Sequence, residues 1–288
     1  MSIMQQIFIP IQHYQIQADL YGDFNEPNDT IIMAHGLGGE KQCGLSEFAE
    51  YYHQLGYHVC VFDHRGFGQS TGPFKYLVDK TSQLEDWQTV IAHLKQRLNI
   101  KQQQMILWGY SFSGAHALTL ASQQSYKAII ANFPHVDGLA SLTLYPKKYL
   151  IPATLMAAED LIAMRFGKVK NIPVVSKDGV AVLAGADCYE GYNSIIPEHM
   201  AWENEVPARI IATIGLYRPI QNAARIHSPT LLIGARNDSL IPINSTRKTA
   251  KKIPKAIYYE ENCGHFDLFN EPYKSHILRE HVQFLSSL

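Results

Sequence analysis

Three rhythms of apolar and polar residues run along this chain. The first is alternation. IFIPIQ and YQIQADLYG, near the start, predict a pair of half-buried antiparallel strands. The second is the short unbroken apolar run that ends in a loop. TIIMAHG, HVCVFDHRG, MILWG and KAIIANFP each predict a buried strand, as does PTLLIGARND later on, and AIYYEENCGHF predicts a further strand and loop. The third is helical. Between 82 and 98, Leu84, Trp87, Val90, Ile91 and Leu94 fall on one helix face. GAHALTLASQQ, TRKTAKKI and SHILREHVQFLSSL predict further helices between the strands. Strands alternating with helices predict a mostly parallel sheet covered on both faces, with the antiparallel pair at one edge. In such sheets the loops at the carboxyl ends of the strands build the site.

The rhythm breaks between 138 and 205. LIPATLMAAEDLIAMRFGKV, IPVVSKDGVAVL and YEGYNSIIPEHMAWENEV show no strand–helix repeat. We read 138–205 as an insertion that caps the sheet's upper edge, with 1–137 and 206–288 forming the core. The Leu, Met and Tyr residues of 140–165 are expected mainly to pack the cap's own interior, while a fraction faces the sheet and lines an apolar pocket. A helix around EVPARIIATIGLY restores the rhythm.

Composition narrows the classes. A chain of 288 residues, 46% hydrophobic, fits one large core or a core with an insertion. At this length folding buries roughly 75% of the extended chain's surface, so disulfides and metals are not needed for stability. A net charge of −1 and the lack of a basic block give no reason to expect nucleic acid as a partner. Cys43, Cys60, Cys188 and Cys263 are scattered without a CxxC pair, which argues against zinc and dithiol chemistry. The start lacks the pattern of a secretory signal, and no apolar run is long enough to span a bilayer, so the expected location is cytoplasmic.

The candidate chemistry begins in ILWGYSFSGAHALTL. A serine hydroxyl is a poor nucleophile unless a base takes its proton, an acid orients that base, and donors hold the oxyanion that forms. A tight strand-to-helix turn exposes the oxygen and needs small neighbours. Gly109-Tyr110-Ser111-Phe112-Ser113 has that form, with Ser113 where the G-x-S-x-G pattern has glycine. Asp238 follows the strand in LLIGARNDSLIP, and His265 follows the strand in YYEENCGHFDLF. Serine, aspartate and histidine thus come in the chain order of nucleophile-elbow enzymes. Upstream, the glycines of MAHGLGGE free backbone N–H groups, and those of Leu37 and Phe112 are candidate oxyanion donors.

Other residues have plainer readings. Asp137, in NFPHVDG, is the rival for the acid role, while Asp267 is expected to be solvated. His35 is expected to brace the oxyanion loop, His64 and Arg65 to fix a loop, and Arg236 to pair with a carboxylate. Cys263 is expected to be a small buried residue.

HGLGG, FDHRGFGQS, GYSFSG, GARNDSLIP and CGHFD together resemble the α/β-hydrolase superfamily, more narrowly its esterase and serine-aminopeptidase-like branch. The resemblance implies an eight-stranded, mostly parallel sheet flanked by helices, a cap after the sixth strand and no cofactor or metal. It also implies Ser111 as nucleophile, His265 as base, Asp238 as orienting acid, and Leu37 and Phe112 as oxyanion donors. The expected activity is a serine hydrolase cleaving a small carboxylic ester with an apolar portion, through an acyl-enzyme. A peptidase, thioesterase or carbon–carbon hydrolase would use the same triad, with Glu159, Asp160, Glu198, Glu203 or Glu205 available to hold an amine. A non-catalytic ligand-binding protein on this scaffold is the alternative of another class. A homodimer is left open.

Overall fold

Met4–Ile11 (β1) and Tyr14–Tyr21 (β2) form the antiparallel edge pair that their alternation predicts, in the computed structural model, which describes residues 4–288. The apolar runs follow as Thr30–Ala34 (β3), then, after helix Leu45–Gln54 (α1), His58–Phe62 (β4). Helix Lys80–Arg97 (α2) buries Trp87, Val90, Ile91 and Leu94, as its spacing predicts, and Asp79 caps its first turn by accepting from the Ser82 N–H. Met105–Tyr110 (β5), Phe112–Ala121 (α3) and Ala128–Asn132 (β6) complete the first half.

Between β6 and the next strand of the large sheet lie Gly138–Ser141 (α4), Lys147–Met164 (α5), Asn171–Ile172 (β7), Cys188–Ser194 (α6), Val206–Pro207 (β8) and Ile210–Ile214 (α7). Thr230–Ala235 (β9), Ile243–Lys252 (α8), Ala256–Glu261 (β10) and Tyr273–Ser286 (α9) close the chain. The eight-stranded sheet runs β1-β2-β4-β3-β5-β6-β9-β10, and every neighbour from β4 onward is parallel. One core layer packs Trp87, Leu94 and Leu118 against one face, and the other packs Phe48, Tyr52 and Trp108 against the opposite face. This is the α/β-hydrolase architecture. The parallel register carries the ends of β5, β9 and β10, and the loops after them, to one edge of the sheet.

Two expectations change on contact with the structure. The helix around EVPARIIATIGLY shrinks to α7, because Pro207 biases Val206 towards extended backbone and that pair joins β7 in a small antiparallel sheet instead. Tyr145 and Met156 pack against a buried cluster, but most large apolar residues of 140–165 do not pack a core of their own. The buried residues of α5 are Ala153, Ala157 and Asp160, whereas Leu150, Ile151, Leu155 and Ile162 are exposed. Among the described residues, no helix is long and apolar enough to cross a membrane.

Asp160 anchors α5. Arg209 donates to it from Nε at 2.6 Å and from Nη2 at 2.9 Å, and the backbone N–H groups of Lys170 and Arg209 add two more bonds. Burial alone would raise the Asp160 carboxyl, but the Arg209 hydrogen bonds and the backbone donors hold it below the usual carboxylate range. Asp160→Asn leaves Arg209 in place without its counter-charge. We expect it to destabilise the fold by about 3–5 kcal/mol, read as a lower denaturant midpoint.

Candidate active site

The corner after β5 is strained where the sequence places its serine. Ser111 has φ 54° and ψ −115°, outside the backbone regions that a non-glycine residue prefers. Such a residue costs roughly 1–3 kcal/mol and persists only when its surroundings hold it. Here they do. The Ser111 N–H donates to the Asn132 carbonyl at 2.9 Å, and the Ser111 carbonyl accepts from His135 N–H at 3.0 Å. Gly109 is required, since a Cβ there would lie 2.3 Å from the Ser113 carbonyl oxygen. Gly114 packs against Pro134 in the same way, with a Cβ contact of 2.8 Å.

The residue at the usual glycine position has a role of its own. The Ser113 hydroxyl donates to the His35 carbonyl and so ties the elbow to the loop after β3. Two residues from the segment between β6 and β9 hold that loop from the other side. Tyr192 donates its hydroxyl to the Leu37 carbonyl at 2.9 Å, and Trp202 donates its indole N–H to the Gly38 carbonyl at 3.0 Å. With the carbonyls of 35, 37 and 38 engaged, the loop's orientation is fixed. The N–H groups of Leu37 and Phe112 make no hydrogen bond among the described residues, and both residues line one pocket with Ser111.

The structure brings the three candidate side chains together. His265 Nε2 stands 2.9 Å from Ser111 Oγ, and His265 Nδ1 stands 2.7 Å from Asp238 Oδ2. The other oxygen, Asp238 Oδ1, accepts from Leu240 and Ile241 N–H, both at 2.8 Å. The carboxylate is therefore oriented by its own loop before the imidazole meets it. Tyr110 donates its hydroxyl to the His265 carbonyl at 2.9 Å and fixes the histidine loop from β5. Asp137 is elsewhere occupied. Arg218 donates to it from Nε at 2.6 Å and Nη2 at 3.1 Å.

The plainer readings resolve residue by residue. His35 is buried, and burial pushes its imidazole down to about 4. Nδ1 faces the Gly36 carbonyl at 2.8 Å and so carries the proton. Nε2 is then the acceptor for the His64 N–H. Burial also holds His64 well below its ordinary value, and its ring meets Asp86 at 3.2 Å while Arg65 pairs with both Asp86 and Glu85. These residues fix the loop after β4. Arg236 pairs with Glu260 at 3.1 Å. Burial pushes the Cys263 thiol up, away from thiolate chemistry. Asp267 is not simply solvated, because it accepts the Gly264 N–H at 2.8 Å and shapes the turn that presents His265.

The pocket beside Ser111 is walled by Leu142, Leu144, Tyr145, Val182, Leu183 and Ile214. His135 also lines it, as a neutral ring that burial pushes down to about 4. None of the carboxylates considered as amine holders lines this pocket or the smaller one on the His265 side. Asp160 is engaged with Arg209, and Glu205 accepts from Asn171.

The chain is similar in sequence and in fold to known proteins. Residues 25–168 match the family model described as "Serine aminopeptidase, S33". The quorum-quenching protein AidA of Acinetobacter baumannii is 33% identical over 261 residues, covering 90% of this chain and 86% of that protein. A monoacylglycerol lipase of Mycolicibacterium smegmatis is 24% identical, with 97% and 96% of the two chains covered. Among solved structures, the α/β hydrolase GrgF from Penicillium superposes with a TM-score of 0.82 at 20% identity, over 99% of this chain and 98% of that one.

Proposed function

This chain belongs to the serine aminopeptidase S33-like family of α/β hydrolases, and from that membership we propose that it is a serine hydrolase of small carboxylic esters, with Ser111 as nucleophile. The observation that carries the reading is the continuous line Asp238–His265–Ser111, with contacts of 2.7 and 2.9 Å, beside an apolar pocket. Ser111 Oγ attacks the ester carbonyl while His265 Nε2 takes its proton. Asp238 holds Nδ1–H, and with it the tautomer whose Nε2 accepts. The oxyanion lies between the N–H groups of Leu37 and Phe112, a placement where one donor is worth about 10²–10³ in rate. His265 then protonates the leaving alcohol, and a water repeats the sequence on the acyl-enzyme.

Residues 138–205 act in this proposal as a cap. Leu142, Leu144, Tyr145, Val182 and Leu183 close the pocket over the serine, and Tyr192 and Trp202 hold the oxyanion loop from above. An acyl or alkyl group of modest size suits such walls, since apolar lining binds in proportion to the apolar area that it hides. An aminopeptidase substrate does not suit them, because a free ammonium group would lie in the pocket without a carboxylate partner.

The experiment is a panel of aryl esters of graded acyl length, run beside aminoacyl anilides and acyl thioesters. We expect kcat/KM for the best ester to exceed that for the best anilide by about 10²-fold or more. An anilide turned over faster than every ester would sink the ester reading and leave the hydrolase family assignment standing.

A further inference from the structure

A surface helix normally turns its large apolar side chains inward and its charges outward. Helix α5 turns most of its large apolar side chains outward instead. Its inner face is Ala153, Ala157 and Asp160, the last already matched by Arg209. Its outer face carries Ile151, Leu155 and Ile162, which are 74%, 59% and 61% exposed. Ten of the sixteen exposed large apolar side chains among the described residues fall between Leu139 and Phe166. So uneven a distribution is not the scatter of single apolar residues that every surface has.

Charge says what covers this face. Lys147 and Lys148 stand exposed in the first turn of α5, and Arg165, Lys168 and Lys170 stand exposed at its other end. Glu159 is the single exposed acid on the helix, in a chain whose net charge is only −1. A second copy of the chain is a poor occupant. Antiparallel pairing of two such helices sets Lys147 and Lys148 against the partner copy's Arg165 end, and parallel pairing sets like against like. A plane of negative charge over an apolar layer matches both features together.

We propose that the outer face of α5 docks this protein on an anionic lipid bilayer, with the helix lying in the plane of the surface. At 1.5 Å per residue the stretch from Leu150 to Met164 presents about 21 Å of apolar edge between the helix's basic ends. Leu142 and Leu144 are exposed and also line the Ser111 pocket, so docking brings the pocket mouth to the lipid boundary. This inference goes beyond the esterase reading and does not depend on it, since binding is measured without turnover.

The test is co-sedimentation with vesicles of phosphatidylcholine alone and of equimolar phosphatidylcholine and phosphatidylglycerol. The wild-type protein and Ser111→Ala are both expected to partition onto the anionic vesicles at least about tenfold more strongly than onto the neutral ones. Added salt should weaken that preference. The pair Ile151→Glu and Leu155→Glu should abolish binding, and the pair Lys147→Glu and Lys148→Glu should lower it about tenfold. Thermal midpoints of the variants establish that they are folded, and Ile162→Gln serves as a milder replacement if the double substitution is not. Wild-type protein that stays in solution with both vesicles overturns the proposal, as does binding that folded Ile151→Glu, Leu155→Glu protein retains. A dimer in gel filtration that this variant converts to monomer, with no vesicle binding by either, overturns it too and makes the face a self-interface.

Discussion

Ser111→Ala is expected to lower kcat/KM for a small aryl ester by about 10⁴- to 10⁶-fold while the protein remains folded. The size of the loss follows from what the hydroxyl does. Its hydrogen-bond partner among the described side chains is His265, so its removal breaks no structural bond and leaves the imidazole without an oxygen to deprotonate. The Asn132 and His135 bonds that hold the strained corner are made by the backbone of residue 111 and survive the change. What remains is the contribution of the oxyanion donors and of pocket binding, which in triad enzymes keeps some rate above that in water. A fluorophosphonate separates chemistry from folding. It should label the wild-type protein at one residue and leave Ser111→Ala unlabelled. Labelling that persists in the variant would mean that another side chain attacks, and the nucleophile assignment would be withdrawn.

The site was legible in the sequence because each part follows a short strand that a run of apolar residues announces. The strands of MILWG, PTLLIGARND and AIYYEENCGHF end at Tyr110, Ala235 and Glu261, within a few residues of where the apolar runs end, and parallel pairing then carries the loops that follow to one edge. Sequence spacing is almost irrelevant to that outcome; Ser111 and His265 meet across 154 positions because β5, β6, β9 and β10 are neighbours in order. The function of Ser113 was not legible. Its departure from glycine could be seen, but its bond to the His35 carbonyl depends on how closely α3 passes the β3 loop. Tyr192 and Trp202 were invisible for a related reason. They reach Leu37 and Gly38 from more than 150 positions away, out of a segment with no repeat to place it.

Helix α5 was hidden by its own composition. A periodic search looks for an apolar stripe opposite a polar one, and LIPATLMAAEDLIAM has apolar residues on every side and a proline in its second turn. Its buried face is defined by small size, Ala153 and Ala157, rather than by hydrophobicity. The expectation of inward packing therefore holds for Met156 and fails for Leu150, Leu155, Leu161 and Met164. The same inversion gives the helix an unusual surface, so the element least readable from the sequence is the one that carries the docking inference.

The second large effect distinguishes two aspartates. Asp238→Asn is expected to lower kcat/KM by about 10⁴-fold, and Asp137→Asn to leave it within about threefold of wild type. The loop around residue 238 dictates the first result. Two N–H groups, from Leu240 and Ile241, point at Oδ1, so an asparagine seats its amide oxygen there and turns its NH₂ towards His265 Nδ1. Nδ1 must then accept rather than donate, and the proton of the neutral ring moves to Nε2. An Nε2–H facing Ser111 Oγ cannot take the serine's proton, although no heavy atom has moved. Asp137 has no such link. Burial tends to raise its carboxyl, but the Arg218 hydrogen bonds outweigh that and hold it below the usual range, and neither of its oxygens meets His265. Substituting it weakens one ion pair outside the proton path. If Asp137→Asn instead lost the activity and Asp238→Asn kept it, the acid would have to reach His265 by a rearrangement of the loop after β6, and the hydrogen-bond line proposed here would not be the working one.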